Sequence, residues 1–244
     1  MATGAVTGDD VDVSKFAVPS SSSSSMPACV LVACGSFSPV TNFHLRLFED
    51  ARDALRDRFH VVGGVMSPVH DHYQKVGLVP FQHRLAMLQL AVEDSSWVTV
   101  SGWEGRQTAW TRTVDVLSAH KTYLEAVGRP ARVLLVCGAD LLDKFSDADV
   151  WPPDQVQRIV SEFGVAVMER TGCSIEAIID ANPLLKPARD NIFPVARPVV
   201  NDISSTIVRK LLADRRSIKY LVPDLVAAYI AQHNLYRHNT IGCV

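Results

Sequence analysis

Residues 29–49, CVLVACGSFSPVTNFHLRLFE, constrain the fold most, because an apolar run there leads through a turn into an amphipathic helix. The apolar run at 29–34 predicts a strand buried on both faces of a parallel sheet. Gly35 and Pro39 mark the turn, and apolar residues then recur at helical spacing. The free amides and positive dipole end of this helix favour an anion, to which His44 can add a donor.

The composition allows a large core and gives no sign of a nucleic-acid-binding surface. Hydrophobic residues make up 48% of the 244 residues, enough for one large or two small domains. The net charge of -2 and the pI near 6.4 provide no overall positive field for DNA or RNA. No uncharged apolar run reaches the length of about 18 residues that a membrane span needs. We therefore expect neither nucleic acid nor a membrane as partner.

The five cysteines indicate an intracellular protein with reduced thiols. They have no paired ligand spacing, and no secretory signal precedes them. The sequence also lacks a basic cluster of the nuclear localisation type, so the compartment stays open between cytoplasm and nucleus. Apolar helix faces suit a core or an interface, which leaves open whether the chain forms a homo-oligomer.

The chain divides into three segments by composition. We predict a disordered, Ser-rich tail at 1–27, one domain at 28–238 and a short tail at 239–244. The first segment has weak periodicity and a run of serines at 20–25. It contains aspartates and no arginine, whereas a transit peptide would be rich in arginine and poor in acids.

After residue 27, strand-like apolar runs alternate with helical patterns. We predict strands at 29–34, 59–66, 97–101, 132–137, 164–168 and 192–195, and later helices at 81–92, 112–127, 153–162, 205–214 and 223–232. This alternation predicts an α/β fold that is Rossmann-like and doubly wound, with a mainly parallel sheet and helices on both faces. In such sheets ligands bind beyond the carboxyl ends of the strands.

The segments that follow the predicted strands are rich in polar and aromatic residues. They include GSF at 35–37, SPVHDHYQK at 67–75, GWEGR at 102–106, CGAD at 137–140 and NDISST at 201–206. Polar chemistry therefore converges on one edge of the sheet. The first loop lacks the lysine of a P-loop and the G-x-G-x-x-G pattern, so another nucleotide-binding arrangement is needed.

Several side chains in these segments suit phosphate oxygens. Thr41 and His44 share one helix face, although a capping Thr and a structural His would give the same pattern. Arg209 lies one turn into the helix that follows 201–204, and its guanidinium fork matches phosphate geometry. Lys75 offers a point charge, unless it is an ordinary surface lysine.

Aromatic residues and one carboxylate suggest how the rest of a nucleotide is held. Trp103 and Trp151 lie in loops and are candidates for stacking on a planar ring, whereas we expect Trp97 and Trp110 in the core. Asp140 can accept hydrogen bonds from a ribose or cap a helix.

The run from His70 to His72 contains residue types that bind metals. No second group of ligand residues accompanies it in the sequence, so we predict no zinc site there.

Five segments together resemble a known family. They are GSFSPVTNFHLRLFE, SPVHDHYQK, WEGRQTAWTRT, CGADLL and NDISSTIVRKLL, and they are similar in order and spacing to the eukaryotic nicotinamide mononucleotide adenylyltransferases. The resemblance covers about residues 29–238. It implies that ATP is joined to nicotinamide mononucleotide, or to nicotinic acid mononucleotide, giving NAD or its deamido form and pyrophosphate. The attacking phosphate oxygen is already ionised, so positioning and charge neutralisation would suffice.

The resemblance also implies which residues hold the substrates. The catalytic residues would be His44 and Arg209. The residues that contact ATP would be Gly35, Ser36, Phe37, Thr41, His44, Gly138, Asp140, Asn201, Ile203, Ser204, Ser205, Thr206 and Arg209. The residues that contact the mononucleotide would be Ser36, Lys75, Trp103, Glu104, Arg106, Thr113, Val150 and Trp151. Mg²⁺ would arrive with ATP and be held mainly by its phosphates, with no protein metal site.

Two residues depart from the family pattern. Ser38 stands where Asn is expected, and Gly105 stands where Ser is expected. The serine is shorter, so we expect it to leave one phosphate or substrate hydrogen bond to water. The region 170–190 is less similar to the family, and we assign no site residue there.

Two other functions remain open. One is transfer to a different acceptor, such as pantetheine phosphate, against which Trp103 and Trp151 argue. The other is a nucleotide-binding chaperone or scaffold without turnover, against which the intact His44, Lys75 and Arg209 argue.

Overall fold

Six parallel strands form the central sheet of the part of the chain that the computed structural model describes, namely residues 4–17, 26–73, 75–170, 172–199 and 202–237. The strands are β1 (Ala28–Gly35), β2 (His60–Pro68), β3 (Val98–Val100), β4 (Arg132–Gly138), β5 (Val165–Met168) and β6 (Ile192–Val195). They lie in the order β3-β2-β1-β4-β5-β6, so the direction of winding reverses between β1 and β4. This arrangement confirms the predicted doubly wound fold.

Helices connect the strands and cover the sheet. They are α1 (Asn42–Leu55), α2 (Phe81–Ala91), α3 (Thr113–Ala126), α4 (Ala139–Asp143), α5 (Pro153–Arg158), α6 (Ile175–Ala181), α7 (Ser205–Ala213) and α8 (Asp224–Gln232). A turn of π-helix, Ile159–Phe163, continues α5. The helix α6 lies in a region where the sequence pattern indicated no element. Within the described ranges, no helix is both long and apolar enough to cross a membrane.

Both faces of the sheet are buried, which explains the continuous apolar runs of the strands. In β1, Leu31 lies in the same buried cluster as Phe48 of α1 on one face, while Val30 lies in the same buried cluster as Leu117 of α3 on the other. Each such side chain, once fully buried, contributes about 1.5–3 kcal/mol of hydrophobic stabilisation.

The register of the sheet brings three loops to one edge. Gly35 at the end of β1 pairs with Pro68 at the end of β2. On the other side, Val32 of β1 pairs with Leu135 of β4. The loops that follow these three strands therefore lie side by side at the point where the winding reverses, which is where open α/β sheets bind ligands.

Residues 4–17 pack against the domain, in contrast to the disordered tail that we predicted for 1–27. Val6, Val11 and Phe16 are only 5%, 2% and 4% exposed. Their spacing of five residues matches neither a helix nor a strand, which is why the sequence pattern did not reveal them. The serine run at 20–25 and the tail at 239–244 lie outside the described residues. The single-domain assignment for 28–238 stays a prediction.

Candidate active site

The turn from β1 into α1 forms the first wall of the site. Phe37 adopts a positive φ of 43°, and its ring packs over Gly35, where a Cβ atom would lie only 3.1 Å from the ring. The same ring contacts His44 edge-on, with 5.2 Å between ring centroids. Phe37 is 4% exposed, so its ring serves mainly to pack this turn against His44.

Thr41 holds the imidazole of His44 at the start of α1. The Thr41 amide donates to Nδ1 of His44 at 3.0 Å, and the Thr41 hydroxyl lies 2.8 Å from the same nitrogen. Since Nδ1 accepts the amide proton, Nε2 carries the ring proton and is the available donor. Thr41 is fully buried, so the structure assigns it to orienting His44. The expectation that Thr41 also contacts ATP stays a prediction.

His44 is uncharged at neutral pH. Burial, and then the nearby charge of Lys75, lower the pKa of His44 to about 4. An imidazole in this state donates one hydrogen bond from Nε2 without carrying positive charge. It suits a polar donor to phosphate oxygens better than a cation or a general base.

The start of α7 docks directly on the first loop. Ser204 caps the helix by accepting from the amide of Ile207 at 3.3 Å. The Ser205 hydroxyl donates to the carbonyl of Pro39 at 2.8 Å. The starts of α1 and α7, both predicted to bind ATP, therefore lie on either side of one loop.

Arg209 reinforces this docking. Its Nη1 donates to the carbonyl of Ser38 at 2.8 Å, and its Nη2 donates to the hydroxyl of Thr206 at 3.3 Å. A Cβ atom at Gly77 would lie 2.6 Å from Nε of Arg209, so the guanidinium rests directly on that glycine. Burial lowers the pKa of Arg209, but an arginine keeps its charge at neutral pH.

A group of cations surrounds this loop. The pKa of Lys75 is lowered by burial and then by the charges of Arg209 and Lys144. Lys75 also acts on His44, so the predicted phosphate-binding side chains share one electrostatic neighbourhood. Lys144 follows α4 and was missed, because a single lysine in LLDKF carries no motif.

Arg84 is a second residue that sequence reasoning missed. It is fully buried and donates to the carbonyl of Ser36 at 3.2 Å and to the carbonyl of Val69 at 2.7 Å. It also forms an ion pair with Asp71 at 2.8 Å. Arg84 therefore ties the loop after β1 to the loop after β2. The sequence did contain a sign of this role, because Arg84 lies on the inner face of a predicted helix.

The Ser38 hydroxyl makes its hydrogen bonds within the protein. Its hydroxyl donates to the carbonyl of Gly77 at 2.9 Å and accepts from the amide of Val79 at 3.2 Å. The hydroxyl of Tyr236 lies 3.0 Å from the same oxygen. Ser38 is only 1% exposed, so this residue joins three segments of the chain and is not open to solvent.

Three predicted mononucleotide contacts lie in the turn after β3, and all three side chains have protein partners. Trp103 donates from Nε1 to the carbonyl of Gly4 at 3.2 Å. Glu104 accepts from the hydroxyl of Ser67 at 2.6 Å, and Arg106 pairs with Asp10 at 2.6 Å. Trp103 and Glu104 are 3% and 2% exposed. The Glu104 and Arg106 side chains are thus engaged within the protein, and their role as ligand contacts stays a prediction.

Glu104 is protonated at neutral pH. Burial raises the pKa of this carboxyl to about 8, against the opposing effects of the Ser67 hydrogen bond and the Arg84 charge. The turn after β3 therefore carries less negative charge than its sequence indicates.

The remaining predicted contacts lie on the loop before α5 and at the start of α3. Trp151 is half-buried and packs on Phe145 with ring centroids 4.7 Å apart. Val150 is exposed, and its carbonyl accepts from Arg112 at 3.0 Å. This bond ties the Trp151 loop to α3, which begins at Thr113.

The two tryptophans that we placed in the core have different environments. Trp97 is 7% exposed and donates to the carboxylate of Glu49 at 3.0 Å, which confirms its prediction. Trp110 is 39% exposed, so its prediction was wrong. Arg112 lies over its ring at 4.6 Å, and Tyr73 contacts it at 6.3 Å between ring centroids.

The end of β4 provides an open backbone position. A Cβ atom at Gly138 would meet nothing within 4 Å, so space for a ligand exists there. Asp140 is exposed and forms an ion pair with Arg170, with which a ribose hydroxyl would have to compete. Ile203 is half-buried, and Asn201 lies outside the described residues.

The sequence of this chain is similar to those of known proteins. A model of the cytidylyltransferase-like family matches residues 32–211. The nicotinamide/nicotinic acid mononucleotide adenylyltransferase of Oryza sativa subsp. japonica is 47% identical, over 85% of this chain and 86% of the relative. The protein of the same name from Arabidopsis thaliana is 42% identical, over 86% and 91%. Nicotinamide/nicotinic acid mononucleotide adenylyltransferase 1 of Bos taurus is 37% identical, over 85% and 88%.

A solved structure supports the fold. A candidate nicotinate-nucleotide adenylyltransferase from Vibrio parahaemolyticus superimposes with a TM-score of 0.55 at 15% identity, over 86% of this chain and 96% of that chain. At this identity the likeness concerns the fold alone. The sequence relatives show more than the fold. This chain, which has a cytidylyltransferase-like domain, belongs to the family of nicotinamide/nicotinic acid mononucleotide adenylyltransferases.

Proposed function

We propose that this chain transfers the adenylyl group of ATP to nicotinamide mononucleotide, and also to nicotinic acid mononucleotide, with release of pyrophosphate. The observation that carries the proposal is the docking of two helix starts on one loop. Ser205 and Arg209 of α7 donate to the carbonyls of Pro39 and Ser38, next to His44 of α1. Helix starts attract phosphates through free amides and the helix dipole. The identity of the acceptor follows from the names of the relatives.

The reaction needs positioning more than proton transfer. A phosphate oxygen of the mononucleotide attacks the α-phosphorus of ATP. The new P–O bond forms as the bond between the α-phosphorus and the bridging oxygen breaks, and pyrophosphate leaves with the electron pair. Because the attacking oxygen is already ionised, no general base is required.

Two cations and one neutral imidazole stabilise the negative charge of the phosphates. Arg209 and Lys75 offset charge on the triphosphate and on the mononucleotide phosphate. The Nε2 proton of His44 supplies a hydrogen bond to oxygens whose charge increases in the transition state. Groups that are held in place before reaction, as His44 is by Thr41, avoid the cost of reorganisation.

Mg²⁺ fits this site as an ion that arrives with ATP. The charged side chains that act on Lys75 at this site are cationic, and the carboxylate of Asp140 at the end of β4 is paired with Arg170. Few protein oxygens are therefore offered, and Mg²⁺ commonly keeps several waters and binds substrate phosphates. When bound, it neutralises charge on the β- and γ-phosphates.

A cytoplasmic or nuclear location agrees with the state of the cysteines. Within the described part of the chain, Cys29, Cys34, Cys137 and Cys173 are all unpaired. Reduced thiols are typical of these compartments.

An acceptor panel tests the proposal. The protein is incubated with ATP, Mg²⁺ and one acceptor, which is nicotinamide mononucleotide, nicotinic acid mononucleotide or pantetheine phosphate. The products are then separated and identified by mass spectrometry. We expect a dinucleotide from each pyridine mononucleotide and no product from pantetheine phosphate. If only pantetheine phosphate gave a product, the proposed acceptor would be wrong and the chain would be an adenylyltransferase for another acceptor. Product from none would favour a binding protein without turnover.

A further inference from the structure

Residues 4–17, which we call the clasp, are anchored to the domain by apolar side chains. Val6, Val11 and Phe16 belong to the same core cluster as Trp103. The Phe16 ring lies where a Cβ atom of Gly63 in β2 would stand, only 2.4 Å away, so this glycine provides the space for the ring. The clasp is thus fitted to a complementary surface of the sheet.

Hydrogen bonds at the end of the clasp secure the same position. The amide of Ala17 donates to the carbonyl of Val62 at 2.8 Å. Arg129 donates to the carbonyls of Val13 and Phe16, each at 3.0 Å. These bonds involve residues 13–17, which follow Asp10 in the chain, so they anchor the clasp on the C-terminal side of that residue.

Asp10 connects the clasp to the turn at 102–106. Its backbone carbonyl accepts from the amide of Gly102 at 3.2 Å. Its carboxylate pairs with Arg106 through one oxygen at 2.6 Å. The other oxygen accepts from the amide and hydroxyl of Thr7, at 3.1 and 3.0 Å. The side chain of Asp10 is 11% exposed, so this ion pair is partly shielded from solvent.

The indole of Trp103 is fixed by the same segment. Its Nε1 donates to the carbonyl of Gly4, and His120 packs edge-on against its ring at 6.4 Å between centroids. Trp103 is 3% exposed, so the part of the indole that a ligand can touch is already held in one orientation and does not have to lose rotational freedom on binding. Such preorganisation improves affinity by lowering the cost of ordering.

We propose that the clasp, through Asp10, is a positioning element for the mononucleotide. It holds the 102–106 turn and the Trp103 indole in the conformation that accepts the pyridine ring. This inference rests on the proposed function, because it takes Trp103 as the residue that stacks on the mononucleotide. ATP binds at the β1–α1 turn and at α7, which the clasp does not contact through any of the bonds described above, so its affinity should be independent of Asp10.

The test uses the full chain with Asp10→Asn, which removes the charge and keeps the size. Asp9→Asn is the matched control, since Asp9 is exposed and shares none of these contacts. Asp10→Glu tests whether a carboxylate alone restores the effect. Titration calorimetry measures the dissociation constants of nicotinamide mononucleotide and ATP separately, and thermal unfolding checks that each variant is folded.

For Asp10→Asn we expect about a fivefold weaker affinity for the mononucleotide, the size typical of losing one ion pair at the edge of a site. The ATP affinity should stay within about twofold, and Asp9→Asn should match the wild type. Unchanged mononucleotide affinity overturns the proposal, as does tighter binding, which would make the clasp a cover over the site. Equal weakening of both ligands would indicate general packing and also overturns it. Dinucleotide formation by the wild type is assayed separately, so failure of the clasp and failure of the proposed function are distinguishable.

Discussion

The backbone amide of Thr41 donates a hydrogen bond to Nδ1 of His44 at 3.0 Å, at the start of α1. The bond fixes the proton on Nε2. Burial and the Lys75 charge keep the ring neutral. The imidazole is therefore a hydrogen-bond donor that is already oriented before a phosphate binds.

Removing this donor should slow turnover far more than removing the Thr41 hydroxyl. We expect His44→Ala to lower kcat by about a hundredfold or more, as loss of one preorganised donor does elsewhere. Thr41→Val keeps the backbone amide that orients the ring, so kcat should fall by less than about tenfold. His60→Ala, at the opposite end of β2, serves as the control. Steady-state kinetics check this order, and an unchanged kcat with lower thermal stability in His44→Ala would make His44 a structural residue.

The neutral state of His44 predicts how turnover depends on pH. An imidazolium with an ordinary pKa would become about 15-fold more populated between pH 8 and pH 6.5. Because the pKa of His44 is lowered to about 4, its protonation hardly changes over this range. We therefore expect kcat at saturating substrates not to rise as the pH falls from 8 to 6.5. A rise near tenfold that disappears in His44→Asn would contradict the neutral donor.

Glu104 predicts a stability effect with a definite sign. Its pKa rises from 4.5 to about 8 on folding, so between these values the folded state binds a proton that the unfolded chain has lost. Stability contributed by this group is present at pH 4.5 and is lost as the pH rises toward 8. Glu104→Gln imitates the protonated form. The melting temperature of this variant should therefore rise relative to that of the wild type as the pH increases.

Differential scanning calorimetry at pH 5 and pH 8 measures this gain. We expect the advantage of Glu104→Gln to be larger at pH 8 by at least about 2–4 °C, which corresponds to 1 kcal/mol in a domain of this size. Glu125→Gln, an exposed acid on α3, should show no such trend. An advantage that shrinks from pH 5 to pH 8 would mean that Glu104 is ionised in the folded protein.

Lys144 should act on the site through its charge. It lowers the pKa of Lys75 together with Arg209, so all three contribute to one positive potential. We expect Lys144→Ala to raise the KM of a phosphate-bearing substrate by about two- to fivefold at low salt, and by less at high salt because exposed charges are screened. Lys121→Ala on α3 is the control. An effect of the same size at low and high ionic strength would rule out this electrostatic role.

The sequence pattern was sufficient to predict the sheet and the loops in which the candidate site lies. The apolar runs of β1 and β4 and the punctuation at Gly35 required a buried parallel strand followed by a turn, and the structure has both. The positions of these strands were predictable, because a strand that is buried on both faces appears in the sequence as a continuous apolar run.

Contacts between distant segments were not predictable in this way. The clasp has apolar residues at a spacing that no regular element shows, and Arg84 contacts three separate loop residues across the fold. The burial of Thr41 likewise depends on how α1 packs, not on its local sequence. These features arise from tertiary packing, to which periodicity and motif spacing are insensitive.

The central claim, direct transfer of the adenylyl group, is tested most directly with ATP labelled at its α-phosphorus. The wild-type protein is incubated with this ATP, Mg²⁺ and nicotinamide mononucleotide, and both products are quantified. We predict that the label enters a dinucleotide and that unlabelled pyrophosphate forms in equal amount. Label that remains in ATP, or that appears only in AMP with no dinucleotide, would contradict the account.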